Sequence, residues 1–148
     1  CSYWSLEKAP EELIDTFGVD RACIIAAGYP RSKQDIKVTP TNVHINAMLW
    51  GGNGGLLQED IEQRGEWDFI RLLCDYRAFP NLPVDLGGLS GGGIWSVLFK
   101  SDESGQLQFH RFALVGVCYW HAPSGTDVPL LRGHYVRSIY GRLWPLIA

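Results

Sequence analysis

The spacing of apolar residues changes character along this chain, and that change predicts its elements. Residues 22–27 are continuously apolar with β-branched members, stopped by Gly28 and Pro30, which predicts a buried strand. Residues 43–49 alternate, with Val43, Ile45, Ala47 and Leu49 on one face, predicting a half-buried strand. Residues 68–76, 94–99 and 107–120 also read as strands, and Gly116 inside the last predicts a bend or bulge. From Tyr135 the period lengthens. Val136, Ile139, Tyr140 and Leu143 recur at i, i+3, i+4 and i+7, the stripe of an amphipathic helix that Pro145 should end. Near the start, Pro10 followed by acids, with Gly18 as stop, predicts a short helix over 10–17 that buries Leu13, Ile14 and Phe17.

Between these elements the chain reads as turns. Residues 31–35 form a polar loop. Residues 51–65 form a long glycine-rich loop whose acids include Glu59, Asp60 and Glu62, with Glu66 just beyond. Residues 79–86 are an irregular, proline-containing approach to a glycine turn, and 101–105 are a hairpin turn. About six short strands followed by one helix, with no crossover helices between them, exclude a parallel βαβ sheet. The expected architecture is all-β, a closed or nearly closed antiparallel barrel with a C-terminal helix. The length of 148 residues suits one domain. Residues 1–19 are expected as linker and short helix, and 20–148 as the barrel.

Charge and cysteine usage narrow the function classes. A net charge of −3 gives no basis for a nucleic-acid or acidic-membrane partner. Arg132, Arg137 and Arg142 are expected as a solvated face along one C-terminal helix. No apolar run reaches the roughly 18 residues of a membrane span, and no signal peptide is read. The four cysteines, Cys1, Cys23, Cys74 and Cys118, form no C-x-x-C pair or Cys/His cluster, so neither metal nor cofactor is expected. Three lie in strand-like apolar runs and read as buried reduced thiols, implying a reducing, cytoplasmic compartment. A disulfide between two strands is the alternative, since spacing does not exclude one. The chain opens on Cys1 rather than Met, which reads as processing or a fragment boundary. A free Cys1 is a second candidate nucleophile, with its own amine as base.

The chemistry concentrates in residues 85–95. Ser90 lies in a seven-residue window containing five glycines. Glycine admits positive φ and close approach, so such a turn can aim backbone N–H groups at one point. A serine hydroxyl also needs a base and a place for negative charge to develop. Residues 88–92 (Gly-Leu-Ser-Gly-Gly) formally match the G-x-S-x-G elbow of α/β-hydrolases, but that elbow needs a helix directly after it, where this chain has a strand. A phosphate-cradling loop would also want a helix, with a Lys-Ser/Thr pair. A glycine turn without chemistry is the plain alternative.

This turn, the strand and hairpin after it, and residues 114–120 (Leu-Val-Gly-Val-Cys-Tyr-Trp) together resemble the trypsin-like serine peptidases. Residues 23–30 resemble the first strand of that family's second barrel, and the loop from Tyr29 to Lys33 resembles one in bacterial members. The resemblance covers about residues 20–148. It implies a six-stranded Greek-key barrel of chymotrypsin type, with Ser90 as nucleophile and the N–H groups of Gly88 and Ser90 as oxyanion hole. Val84, Asp85 and Leu86 would line the primary specificity pocket, and Tyr119, Trp120 and His121 would pair with an extended peptide substrate.

The departures from the family pattern are specific. Leu89 stands where secreted members carry an acid that pairs with a new N-terminus, Gly93 replaces a proline, and no cysteine flanks the turn. In the family the histidine base and its aspartate come from a first barrel, so the implied partner is an N-terminal half outside this chain. The histidines present are His44, His110, His121 and His134. His44 and His110 read as outward strand residues, and His134 as a cap or surface residue. The two function classes are a serine endopeptidase completed by that half, and a non-catalytic module of the same fold that recognises an extended peptide.

Overall fold

The computed structural model describes residues 21–30, 34–47, 50–54, 61–73, 87–121 and 130–147. The expected helix at 10–17 lies outside them, as do Cys1 and Cys74. The chain is mostly antiparallel sheet with a short C-terminal helix. Seven strands form one sheet in the order β4-β1-β7-β8-β9-β6-β5, and β2 pairs with β3 in a separate hairpin. These strands are β1 Arg21–Gly28, β2 Gln34–Val38, β3 Val43–Ala47, β4 Trp50–Gly54, β5 Ile61–Arg64, β6 Trp67–Leu73, β7 Gly93–Ser101, β8 Leu107–His121 and β9 Leu130–His134. Every pairing is antiparallel, as the absence of crossover helices requires. Among the described residues β4 and β5 are the free ends of the large sheet.

The core lies on one face of this sheet. Along β7 the burial alternates, and Ile94, Ser96 and Leu98 point inward. Ile94 belongs to one buried cluster with Ala26 of β1, Ile70 and Leu72 of β6, Ala113 and Val115 of β8, and Leu131 of β9. Each fully buried aliphatic side chain of this kind contributes about 1.5–3 kcal/mol. The expected bulge is present beside Gly116: Ile94 faces Gly116 while Trp95 faces Leu114, so Val115 is the extra residue. Cys118 is buried, and Cys23 is half-buried, its thiol pKa raised by burial.

Four strands, β2, β4, β5 and β9, were not expected from the sequence. The loop expected over 51–65 contains β4 and β5, and the polar stretch before Ile36 opens β2. β4 reads Trp-Gly-Gly-Asn-Gly and has almost no intrinsic strand preference. Its backbone groups are supplied with partners by β1, from Ile24↔Gly54 to Gly28↔Trp50. β5 is a sheet-end strand with polar, exposed residues, so no apolar alternation announces it. The β2–β3 hairpin is closed by Thr39, whose N–H and Oγ1 both donate to Asn42 O at 2.8 and 3.0 Å.

The C-terminal helix is present, with two corrections. Residues Arg137–Leu143 are π-helical and run on into an α-helical turn, Trp144–Ile147, that includes Pro145. Trp144 N–H donates five residues back, to Ile139 O. Proline costs one donor in this last turn and does not stop the chain there. The wider π turn also rotates position i+7 off the buried face. Val136, Ser138 and Ile139 are buried, whereas Leu143 is 39% exposed. The expected arginine stripe is corrected as well. Arg132 lies on β9, Arg137 and Arg142 on the helix, and Arg142 pairs with Glu66.

Candidate active site

Residues 87–91 form the turn that carries Ser90. Gly88 and Gly91 both have positive φ, 93° and 85°, a region where a side chain would be strained. Between them Leu89 turns inward and is 1% exposed, a member of the core cluster with Ile94, Val115 and Cys118. The turn is therefore pinned by apolar burial of Leu89.

Backbone hydrogen bonds close the turn and fasten it to β8. Gly92 N–H donates to Leu89 O at 2.7 Å and Gly91 N–H to Cys118 O at 2.8 Å, while Cys118 N–H donates to Gly92 O at 2.9 Å. Ser90, flanked by this clamp, is exposed, and its Oγ donates to Tyr119 O at 3.4 Å, a long hydrogen bond. The turn thus brings together Ser90, Gly88 and Tyr119 from the predicted set. Trp120 follows on β8 beyond a second bulge that leaves Tyr119 as the extra residue, and Tyr119 and Trp120 are 42% and 41% exposed. His121 ends β8 and pairs with Leu131. Val84, Asp85 and Leu86 lie outside the described residues.

No histidine or carboxylate among the described residues hydrogen-bonds Ser90 Oγ. His110 stands at the opposite end of β8, nine residues from Tyr119, which is about 30 Å of strand. Its imidazole pKa is lowered by burial, with smaller contributions from Lys100 and Arg111. His44 is on β3 of the separate hairpin, opposite Lys37.

His134 is corrected. It does not cap the helix. It is the last residue of β9, and its ring lies 5.0 Å from the Tyr119 ring, 5.2 Å from Phe69 and 5.6 Å from Trp67. Asp68 occupies the helix start, accepting from Arg137 N–H at 2.9 Å and Ser138 N–H at 2.6 Å.

The sequence reading also missed the cationic groups on this face. Arg132 stacks over the Trp120 ring at 5.0 Å, and Arg64 lies 6.0 Å from the Phe69 centroid. Arg71 is the direct cross-strand partner of Arg132. The Glu62 carboxyl is held below its ordinary pKa chiefly by the Arg64 hydrogen bond, with smaller contributions from the charges of Arg64, Arg71 and Arg132. Only the register of β5, β6, β8 and β9 assembles these residues, which are scattered over 71 positions of sequence. The signal available beforehand was weak: arginines in strand-like segments next to aromatics.

No group of three or more His, Cys, Asp or Glu residues that could hold a metal occurs among the described residues, and no helix among them is long and apolar enough to cross a membrane. Comparison with protein-family models, curated proteins and solved structures found no match to this chain.

Proposed function

We propose that this chain is the second barrel of a trypsin-like serine endopeptidase, with residues 1–19 as linker and short helix and 20–148 as the barrel. One observation carries the reading: Ser90 stands exposed on a turn with left-handed glycines at 88 and 91, its Oγ 3.4 Å from Tyr119 O at the end of a strand suited to pairing with substrate. The sheet supports it too: every described pairing is antiparallel, as in a barrel of that type. On this reading the strands belong to a six-stranded Greek-key barrel of chymotrypsin type.

In the proposed reaction Ser90 Oγ attacks the scissile carbonyl carbon of an extended peptide. A histidine base of the N-terminal half takes the hydroxyl proton. The tetrahedral oxyanion is held by the N–H groups of Gly88 and Ser90. The C–N bond then breaks, the amine leaves with the proton, and water hydrolyses the acyl-enzyme. Val84, Asp85 and Leu86 would wall the specificity pocket, with Tyr119, Trp120 and His121 aligning the peptide. The reading requires neither metal nor cofactor, and places the enzyme in a reducing, cytoplasmic setting.

Reaction of the complete protein, including the preceding half, with a fluorophosphonate tests this reading. Covalent label at Ser90, lost in Ser90→Ala without loss of stability, is expected. An unlabelled Ser90 in the complete protein overturns the proposal. The Ser90 hydrogen bond goes to a carbonyl rather than a base, and on that observation rests a second reading: a non-catalytic module that recognises an extended peptide. Under it, Ser90→Ala leaves function unchanged.

A further inference from the structure

Three neighbouring strands carry apolar residues on both faces. The inward face of β1, β7 and β8 belongs to the core, with Ala26, Ile94 and Ala113 buried. The outward face is laid out in cross-strand rows. Ile25 pairs with Trp95 and Trp95 with Leu114; Cys23 pairs with Val97 and Val97 with Phe112; Arg21 pairs with Phe99 and Phe99 with Phe109. Such partners share a face of the sheet, and apart from Arg21 every residue in these rows is apolar. A sheet with one face in water alternates apolar with polar residues, whereas strands covered on both faces are continuously apolar. Residues 22–27 are continuously apolar, and residues 94–99 are interrupted only by Ser96. Ring contacts run along the outward face, Trp95 to Phe112 at 5.4 Å and Phe112 to Phe109 at 6.3 Å. Phe109 is 59% exposed and Phe112 42%, which is apolar area that a cover would take from water.

The chain supplies a cover of its own in the stretch before β1. β1 begins at Arg21, and Arg21 pairs with Phe99 at the Phe109 end of this face. Residues 10–17, for which the sequence predicts a helix, end only three residues before it, and three residues span at most about 10 Å. A helix of that length is about 12 Å long and about 10 Å across. The rows from Phe99 to Trp95 cover about 13 Å of strand, and the step from β1 across to β8 is about 10 Å. The side chains fall on the same grid. Positions one helical turn apart, such as Leu13 and Phe17, are about 6 Å apart along the axis, against about 6.6 Å between successive rows. Residues 74–86 and 122–129, also outside the described set, attach at the other end of β8, because Leu73 pairs with Leu130 and His121 with Leu131. That end is about 40 Å of strand from Phe109.

We propose that residues 10–17 dock as a helix on the outward face of β1, β7 and β8, with Phe17 on the Phe99–Phe109 row and Leu13 and Ile14 on the Val97–Phe112 row. On a helix with that stripe inward, Glu11, Glu12 and Asp15 fall on the opposite side, toward water. The short helix is then part of the packed domain, whether or not Ser90 reacts with a substrate.

Nuclear Overhauser contacts in the full chain test the docking without any substitution. Contacts from the Leu13 and Ile14 methyls to the Phe112 ring, and from the Phe17 ring to that of Phe109, are expected. Their absence overturns the proposal. So do contacts found only between isotope-labelled and unlabelled chains in a mixed sample, which would make the cover a second copy. A double-mutant cycle gives an independent reading. Phe17→Ala and Phe109→Ala should each lower the folding constant about tenfold in urea unfolding. The combined loss should fall about threefold to tenfold short of the product of the two, because the rings meet. Losses that simply multiply overturn the pairing. Should an alanine variant fail to fold, Phe17→Leu and Phe109→Leu repeat the cycle at smaller cost.

Discussion

Asp68 and Ser138 hold each other through main chain and side chain at once. Asp68 N–H donates to Ser138 Oγ at 2.9 Å, Ser138 Oγ donates to Asp68 O at 2.7 Å, and Ser138 N–H donates to Asp68 Oδ1 at 2.6 Å. Arg137 N–H adds a bond to the other carboxylate oxygen at 2.9 Å. Both residues are buried, and the pair joins β6 to the start of the C-terminal helix. A buried cap of this kind combines the loss of a helix N-terminal acceptor with orphaned buried donors. Asp68→Ala should therefore cost about 2–3 kcal/mol in urea unfolding. Asp68→Asn should cost less, because one acceptor oxygen is kept. A cost below about 0.5 kcal/mol for Asp68→Ala would show that the pair does not anchor the helix.

Leu89 sets the depth of the serine turn. Its side chain is in the core, and a Cβ placed on Gly28 would lie 2.7 Å from Leu89 Cδ2, so β1 leaves room for it. Leu89→Ala should destabilise by about 3 kcal/mol through lost transfer energy and a residual cavity. The turn should loosen with it, seen as faster amide hydrogen exchange at Gly91 and Gly92, whose N–H groups now bond to Cys118 O and Leu89 O. Unchanged exchange at both would mean that the backbone clamp alone holds the turn.

The neighbouring glycines are required for different reasons, and paired substitutions separate them. Gly91 has φ 85° with open space around it, so Gly91→Ala meets only backbone strain of about 1–2 kcal/mol. At Gly92 a Cβ would lie 2.8 Å from Leu89 O, a backbone atom that cannot swing away. Gly92→Ala should cost more, about 3 kcal/mol. Thermal or urea unfolding of the two variants reads the order directly, and a reversed order contradicts the turn geometry.

The β7–β8 hairpin carries a pH-sensitive turn. Asp102 accepts from Ser104 Oγ at 2.6 Å, Ser104 N at 2.9 Å, Gln106 N at 3.0 Å and Gln108 Nε2 at 3.1 Å. The Ser104 side-chain bond, followed by those of Gln106 and Gln108, lowers its pKa from 3.8 to about 2. A depressed folded-state value means that the carboxylate stabilises the hairpin fully above the unfolded pKa near 4, and that this is lost as pH falls through about 2. An NMR titration should place the Asp102 midpoint near 2, with the Ser104 and Gln106 amide shifts following it. In Asp102→Asn those amide shifts should no longer titrate.

The serine turn itself was legible in residues 87–93, because glycine readily adopts the positive φ that positions 88 and 91 take on either side of the hydroxyl. Its anchoring was not. Leu89 is one apolar residue among many, and only the packing of β1 and β8 around it makes it a buried pin. β4 was invisible for the converse reason: a glycine-rich segment has no preference of its own, and it is a strand because β1 offers it hydrogen bonds.

By its sequence alone this protein is committed to an antiparallel, strand-rich chain with a helix at its end and a glycine-flanked serine before the longest hairpin. Apolar period, turn residues and the absence of crossover helices are local properties, written in consecutive residues. Which residues meet was decided only in three dimensions. Asp68 reaches Ser138, Arg132 meets Trp120 and Arg71, and His134 enters an aromatic cluster rather than capping a helix. Cross-strand register sets those contacts, and register depends on the packing of the whole sheet.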